Sequence, residues 1–372
     1  MARNNRRRAG IGITAFALAA SISLAGGGAY ADDGGLDGPQ VCPPATGELT
    51  VDTLPTGTSV ITCPVVGRVV TYGGTGVTVP EPNTTVGVEM LTTDGESDGF
   101  SLEVSADGIV SYNLTNTSPD APTGGIDDPD SLGNPSTTPD DVTDEPDSVD
   151  PDALDSSSGV EPELPDVDSP PATGACSDGA YSTNDLKEYG TYNWYIGDGG
   201  MPGALSRSSA QAAFADAINN ITDSYNNCGY GDSVSAKSHY SGTTTYEADI
   251  NSNSSCTARD GKSTWDAGNL KNGIVATTCW WSWPMLGVKN DLREADVRFN
   301  TTDYDFTNSP TSRCSHLYDI RSVGTHEAGH VFGMGHVSST HSNLTMTTNS
   351  IECSTIARTL GKGDVLGLRS IY

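Results

Sequence analysis

The 372-residue chain has little positive charge and little histidine. Lysine and arginine together number 19 against 48 aspartates and glutamates, which gives a formal net charge of −29. Such acidity argues against nucleic acid or an anionic membrane surface as a partner, because both are themselves negative. Only six histidines are present, yet three of them fall within eleven positions near the C-terminus. This concentration of a scarce residue indicates a site.

Long apolar runs are also scarce, and the one long uncharged run lies near the N-terminus. It covers residues 11–31, follows a basic start and ends in an A-x-A pattern at Ala31. These three parts describe a secretory signal peptide, and no basic stop-transfer cluster follows that would favour a membrane helix. The sequence therefore predicts a signal peptide over 1–31, an extracellular protein and no transmembrane segment after processing. Its removal takes away four arginines and no acid, which changes the net charge from −29 to −33.

All eight cysteines follow the predicted signal peptide. An even number of cysteines in an exported chain indicates disulfides. Two cysteines fall in the first region after the signal peptide and six in the last, so each region is expected to pair internally. A Cys42–Cys63 bridge would help to hold the small first region. The other six leave fifteen connectivities open, with a preference for Cys314–Cys353, which flank the histidine segment.

Composition divides the exported chain into three regions. Residues 32–118 contain short β-branched runs between Gly, Pro and Asp turns, which predicts a small all-β domain. Residues 119–175 are rich in Pro, Asp and Ser, with 16 acidic residues and no lysine or arginine between positions 119 and 171. This composition predicts a disordered linker that like charge keeps extended. The alternative is a removable or inhibitory segment that presents carboxylates to a cation elsewhere in the chain.

Residues 176–372 have the size and the balanced composition of one folded domain, with 14 basic and 20 acidic residues. Phe214, Ile218, Ile221 and Tyr225 recur at helical spacing, and Ser208 with Gln211 form a capping-box pattern at the start of that helix. Strand-like segments follow, and then a helix with the clustered histidines and a C-terminal helix. The region is therefore predicted to be an α/β domain.

The clustered histidines occur in the segment "HEAGHVFGMGH". His326 and His330 are four positions apart, so on a helix their side chains lie on one face. Gly333 permits a left-handed turn that ends the helix, after which His336 can approach the same point. Three imidazoles suit zinc, and three protein ligands leave a fourth position open for water, as in catalytic zinc sites. Glu327 is placed to meet that water.

The other three histidines do not repeat this spacing, and each is expected to be exposed or hydrogen-bonded; they are His239, His316 and His341. A helix with ordinary surface or core histidines is the alternative for the cluster. The joint spacing H-E-x-x-H-x-x-G-x-x-H, with the acid and the glycine both in register, favours a metal site.

This segment, with a methionine ten residues beyond its last histidine, resembles the metzincin zinc metalloproteases, and most closely the matrixins. The resemblance covers 176–372 and implies a twisted mixed sheet with a zinc-site helix and a C-terminal helix. It also implies that Met346 forms an apolar floor beneath the metal and that Glu327 is the general base. Substrates of the family bind extended along an exposed sheet edge, and residues 272–281, "NGIVATTCWW", resemble that edge.

Three departures from the family pattern concern the subfamily. Val337 and Ser338 follow the last histidine, where matrixins usually have serine directly. Thr348 stands two residues beyond Met346, where astacin-like and serralysin-like relatives have a tyrosine ligand. The cysteine-switch motif of animal matrixin prodomains is absent from the sequence.

The sequence thus predicts a secreted zinc endopeptidase, acting as a monomer on protein or peptide substrates. Residues 32–175 lie where a propeptide would lie, so a zymogen is expected; a permanent accessory domain is the competing interpretation. Calcium is a further expected cofactor, although no EF-hand-like loop is present. Two other functions stay open: a non-enzymatic surface or adhesion protein with a structural zinc, and a processing peptidase of narrow specificity.

Overall fold

The computed structural model describes residues 41–96, 99–114 and 174–372. These residues belong to one structural unit. The predicted signal peptide over 1–31 and nearly all of the predicted linker over 119–175 lie outside the described residues. No helix within the described ranges is long and apolar enough to cross a membrane.

The described residues form mostly short strands and three α-helices. The strands are β1 Leu49–Thr50, β2 Val69–Tyr72, β3 Thr75–Thr78, β4 Thr84–Thr92, β5 Phe100–Val104, β6 Val110–Leu114, β7 Ser182–Thr183, β8 Leu186–Lys187, β9 Thr191–Ile196, β10 Lys237–Thr243, β11 Ser255–Cys256, β12 Ser263–Gly268, β13 Ile274–Trp283, β14 Asn290–Asn300, β15 Asp305–Thr307, β16 Leu317–Asp319 and β17 Met334–Gly335. The helices are α1 Arg207–Thr222, α2 Ile320–Val331 and α3 Lys362–Ile371.

The central sheet is mixed and has the order β10-β9-β12-β14-β13-β4-β5-β6, with β8 paired to β14. The strands β10, β9, β12 and β14 run parallel, whereas β13 is antiparallel to both β14 and β4. A mixed sheet with a few helices agrees with the predicted α/β architecture. Three strands of the β-rich N-terminal region, β4 to β6, extend this same sheet.

A second sheet also combines the two regions, in the order β1-β2-β3-β11. It packs against the outer part of the central sheet around a shared apolar core, where Val88 and Met90 of β4 meet Cys279 and Trp281 of β13. The boundary predicted between 32–118 and 176–372 stays a prediction, but strand pairing and apolar packing both run across it.

The other face of the central sheet packs against α1 and α2. Phe214 of α1 stacks on Phe299 of β14 with ring centroids 5.4 Å apart, and Trp265 of β12 lies beside both. The predicted capping box of α1 is wrong: the N-cap lies two residues earlier, at Ser206, which accepts a hydrogen bond from the backbone N–H of Ser209. Ser206 reaches two nearby hydroxyls as well, so three serines within four positions gave the sequence no single start. The predicted helical pattern also included Tyr225, which lies three residues beyond the end of α1 and is 37% exposed.

Every cysteine of the chain is paired within its own region. The predicted bridges Cys42–Cys63 and Cys314–Cys353 are confirmed, and the remaining pairs are Cys176–Cys228 and Cys256–Cys279. No disulfide therefore joins residues 41–114 to residues 174–372.

Candidate metal centre

Helix α2 carries the first two histidines and begins at a buried ion pair. Asp319 caps the helix by accepting a hydrogen bond from the N–H of Ser322. The guanidinium of Arg358 binds both carboxylate oxygens of Asp319, at 2.9 and 2.6 Å. Every residue of the helix is buried. A helix fixed in this way holds its histidines at a defined position within the core.

The three clustered histidines converge. The Nε2 atoms of His326, His330 and His336 lie 3.0–3.1 Å from one another. Nitrogens that bind one zinc ion at about 2.0–2.1 Å lie about 3.3 Å apart in tetrahedral geometry, so the observed separations match within a few tenths of an ångström. No fourth His, Cys, Asp or Glu side chain joins this group in the described part of the chain.

Two of the three imidazoles have a backbone acceptor for their other ring nitrogen, and the third has a carboxylate nearby. His326 Nδ1 donates to the carbonyl of Thr345 at 2.7 Å, and His330 Nδ1 donates to that of Met334 at 3.0 Å. His336 Nδ1 lies 3.2 Å from Oε2 of Glu89. Because carbonyl oxygens only accept, Nδ1 of His326 and of His330 carries the proton, and the Nε2 lone pair of each ring faces the centre.

Burial keeps these rings neutral. It lowers the pKa of His326 to about 3, with the neighbouring His336 adding to the effect, and it lowers the pKa of His336 to about 3 as well. Burial and the two neighbouring imidazoles also lower the pKa of His330 well below its ordinary value. Neutral imidazole is the form that binds a metal ion, so the donor set fits zinc.

Two glycines allow the chain to form this arrangement. Gly333 has φ +93°, and a Cβ there would overlap the carbonyl oxygen of Leu186. A Cβ at Gly329 would overlap the sulfur of Met346, which is buried beneath α2. Met346 thus lies under the turn between His326 and His330, where the resemblance places an apolar floor.

A buried carboxylate on α3 holds the segment that carries this methionine. Asp364 accepts hydrogen bonds from the backbone N–H groups of Thr345, Met346 and Gly361 at 2.8–3.2 Å. Thr345 is the residue whose carbonyl binds His326. Asp364 therefore positions His326 through one residue of backbone.

Glu327 lies beside the histidines and is 0% exposed. Its Oε2 accepts a hydrogen bond from Oγ1 of Thr278 at 2.5 Å. Its Oε1 is buried without a hydrogen-bond partner among the described residues. Burial raises the pKa of Glu327 to about 8; the Thr278 hydrogen bond opposes this and the charge of Glu89 adds to it. A buried carboxylate oxygen without a donor is costly, and a water molecule would satisfy it.

The sheet edge next to the centre is covered, contrary to expectation. Strand β4 pairs with β13 from Ile274 to Ser282, so residues 272–281 present no exposed edge in this structure. The β-branched alternation of β4 gave no indication of its partner, which lies far along the chain. Trp280 and Trp281 are buried in the core, at 3% and 2% exposed, whereas Trp283 is 44% exposed.

The remaining polar groups bear on the other sequence predictions. His341 contacts the carboxylate of Asp178, and His316 contacts that of Glu352.

Three carboxylates, of Asp249, Asp260 and Glu294, have ligand atoms within 4.8 Å of one another. Burial and the other two carboxylates raise the pKa of Asp249 to about 7. Acidic groups of this kind are common without an ion, so calcium stays an expectation.

Three residues of the site were missed by sequence reasoning. Glu89 is the single acid in the apolar run "TVGVEML", and an isolated charge in a buried strand is a signal that could have found it. Asp364 occupies the third position of α3, where acids cap helices. Thr278 carries no such signal, because threonine is ordinary in a strand.

Residues 229–372 match the family model described as Matrixin. This part of the chain is matrixin-like. The matched segment contains β13, the whole histidine cluster, Met346 and α3. Its similarity to this family suggests a zinc metallopeptidase. A search of the curated proteins found no match to the chain. The family match does not fix the roles of the individual residues.

Proposed function

We propose that the protein is a secreted zinc-dependent endopeptidase. The observation that carries this proposal is the convergence of three neutral imidazole nitrogens within 3.1 Å beside a buried glutamate. A structural zinc would usually have four protein ligands, whereas three are found among the described residues. The N-terminal pattern of the sequence and the four disulfides support export.

His326, His330 and His336 would hold the ion through Nε2. When bound, zinc supplies Lewis acidity and lowers the pKa of a coordinated water to about 7. Glu327 accepts the proton of the attacking water at Oε1, since Oε2 is bound to Thr278, and returns it to the departing amine of the peptide. A cation among the imidazoles favours the ionised form of Glu327, which this role requires.

The test is the variant Glu327→Ala, assayed with labelled casein and by metal analysis. We expect one zinc per chain, as in the unmodified protein, and a loss of hydrolysis of about 10²–10⁴-fold. Glu352→Ala, which removes a half-exposed acid from the same region, is the control and should cleave normally. Because β4 covers the histidines, each protein is also assayed in a Gly87→Val background, where the added side chain would overlap the Trp280 ring.

Two results would refute the proposal. One is zinc-loaded protein that cleaves no protein or peptide in either background. The other is a Glu327→Ala chain that hydrolyses casein at the unmodified rate. A zinc chelator should stop all hydrolysis that is seen.

A further inference from the structure

Strand β4 occupies the edge of β13 along almost its whole length. The pairing is antiparallel and runs from Thr92 opposite Ile274 to Thr85 opposite Ser282. An exposed strand edge beside a catalytic centre binds an extended peptide by adding it as a further strand. In this chain β4 already fills that position.

The C-terminal end of β4 is bonded on its other side as well. Thr92 forms a parallel bridge with Asn349, and the N–H of Ser350 donates to the carbonyl of Thr92 at 3.0 Å. Residues 348–350 follow the segment that contains Met346. This part of β4 therefore lies in a groove between β13 and the segment beyond the methionine.

The side chains of β4 on the α2 side close the metal centre. Glu89 lies opposite Thr278, the residue that binds Glu327, and its carboxylate reaches His336. Leu91 is 2% exposed and borders, together with His326, a small cavity of about 40 Å³. No space of the size of a peptide remains there, and Glu327 is inaccessible to solvent.

No disulfide would prevent residues 41–114 from separating from residues 174–372. All four disulfides close within residues 41–114 or within residues 174–372. The chain between positions 114 and 174 is the one covalent link, and it carries the acidic, proline-rich composition described above. A cut in that segment would leave β4 held by strand pairing and apolar packing alone.

We propose that residues 41–114 inhibit the metal centre of the intact chain, with β4 occupying the groove of an extended peptide substrate and Glu89 contacting His336. The inference rests on the proposed function and names its regulation. As part of the same chain, β4 is present at a high effective concentration, of about millimolar order for a flexible tether. A substrate at lower concentration is therefore excluded by strand pairing until β4 leaves.

The experiment weakens the β4–β13 pairing in the full-length, zinc-loaded chain. Gly87 lies opposite Trp280, and a side chain at Gly87 would overlap the indole ring. We compare the unmodified chain with Gly87→Val and with the matched control Ser111→Val. Ser111 belongs to β6, two strands away from β4. Two quantities are measured: the rate of casein hydrolysis and the rate at which the chelator pyridylazoresorcinol removes zinc.

Both rates should rise by at least about tenfold in Gly87→Val and stay within about twofold of the unmodified chain in Ser111→Val. Faster zinc removal without hydrolysis supports the inference and refutes the proposed function. Equal hydrolysis by the unmodified chain and Gly87→Val refutes the inference and leaves the function intact. Unchanged zinc removal also refutes it. If Gly87→Val does not fold, Leu91→Ala takes its place with the same outcomes, because it removes the side chain that closes the cavity beside His326.

Discussion

The histidine segment and strand β4 meet at one centre, but the first depends on residues close together in sequence and the second on a distant pairing. The three imidazoles lie within eleven consecutive positions, and the carbonyls of Thr345 and Met334 that orient two of them are close along the chain. Strand β4 reaches the centre from the N-terminal region, through a pairing with β13 far away in sequence. The convergence of the three histidines is thus a local property of this chain, whereas access to them is a long-range property.

The largest effect on zinc binding is expected from Gly333→Ala, which disrupts the turn between His330 and His336. An L-residue in the left-handed region costs about 1–2 kcal/mol, and the new Cβ would overlap the carbonyl of Leu186. The turn must then move and displace His336, so we expect loss of stoichiometric zinc binding in metal analysis. The free energy of unfolding should also fall by more than the cost of the backbone conformation alone.

The matched control is Gly229→Ala, because Gly229 has φ +80° but no atom near the added Cβ. It should bind zinc normally and lose about 1–2 kcal/mol of unfolding free energy in urea. If both variants behave alike, the close approach of Leu186 to the turn is irrelevant to the site.

A smaller effect is expected from Glu89→Gln, which tests the link between the two regions. Among the described residues of the N-terminal region, Glu89 is the one that contacts an imidazole Nδ1 of the cluster. Loss of a carboxylate partner of a ligating histidine typically lowers metal affinity by about 10–100-fold. We expect a decrease near the lower end in a competition titration, because glutamine keeps an oxygen beside His336 and removes only the charge.

Glu103→Gln on β5 is the control and should leave zinc affinity unchanged. Equal affinities for the two variants would mean that β4 covers the centre without helping to orient its ligands. The unfolding transition of both variants should stay close to that of the unmodified chain, which separates an effect on the metal from an effect on the fold.

The smallest effect on the metal centre belongs to Asp249→Asn, which alters a cluster remote from the comparison. The pKa of Asp249 is raised from 3.8 to about 7 in the folded chain, so the folded state holds this proton more tightly than the unfolded state. The unmodified protein therefore loses stability as the pH rises from about 4 to about 7, and the variant does not. The gain in urea midpoint from Asp249→Asn should be small at pH 4 and complete above pH 7.

Asp305→Asn, which changes an exposed aspartate outside this cluster, is the control. A stabilisation by Asp249→Asn that is equal at both pH values would contradict the raised pKa. Both measurements are made without added calcium, since a bound cation would offset the repulsion among the three carboxylates.

Sequence reasoning succeeded where a residue's partners lie nearby. The spacing from His326 to His336 was enough to predict that these three imidazoles meet, and the preferred pairs Cys42–Cys63 and Cys314–Cys353 are both present. It failed where several neighbouring residues could serve equally well as the helix cap, as with the serines before α1. It also failed where the pairing partner of a strand lies far along the chain. Nothing in the alternation of residues 84–92 selects β13 rather than another strand, because register and partner follow from global packing.

The internal closure of the disulfides has a consequence for the lifetime of the covered state. In the unbroken polypeptide, separation and rejoining of β4 and β13 are unimolecular events that dilution cannot influence. Once a peptide bond between positions 114 and 174 is hydrolysed, the same rejoining needs an encounter between two molecules. A single irreversible cut would then make coverage of the histidines depend on how much of the detached fragment remains in the surrounding medium.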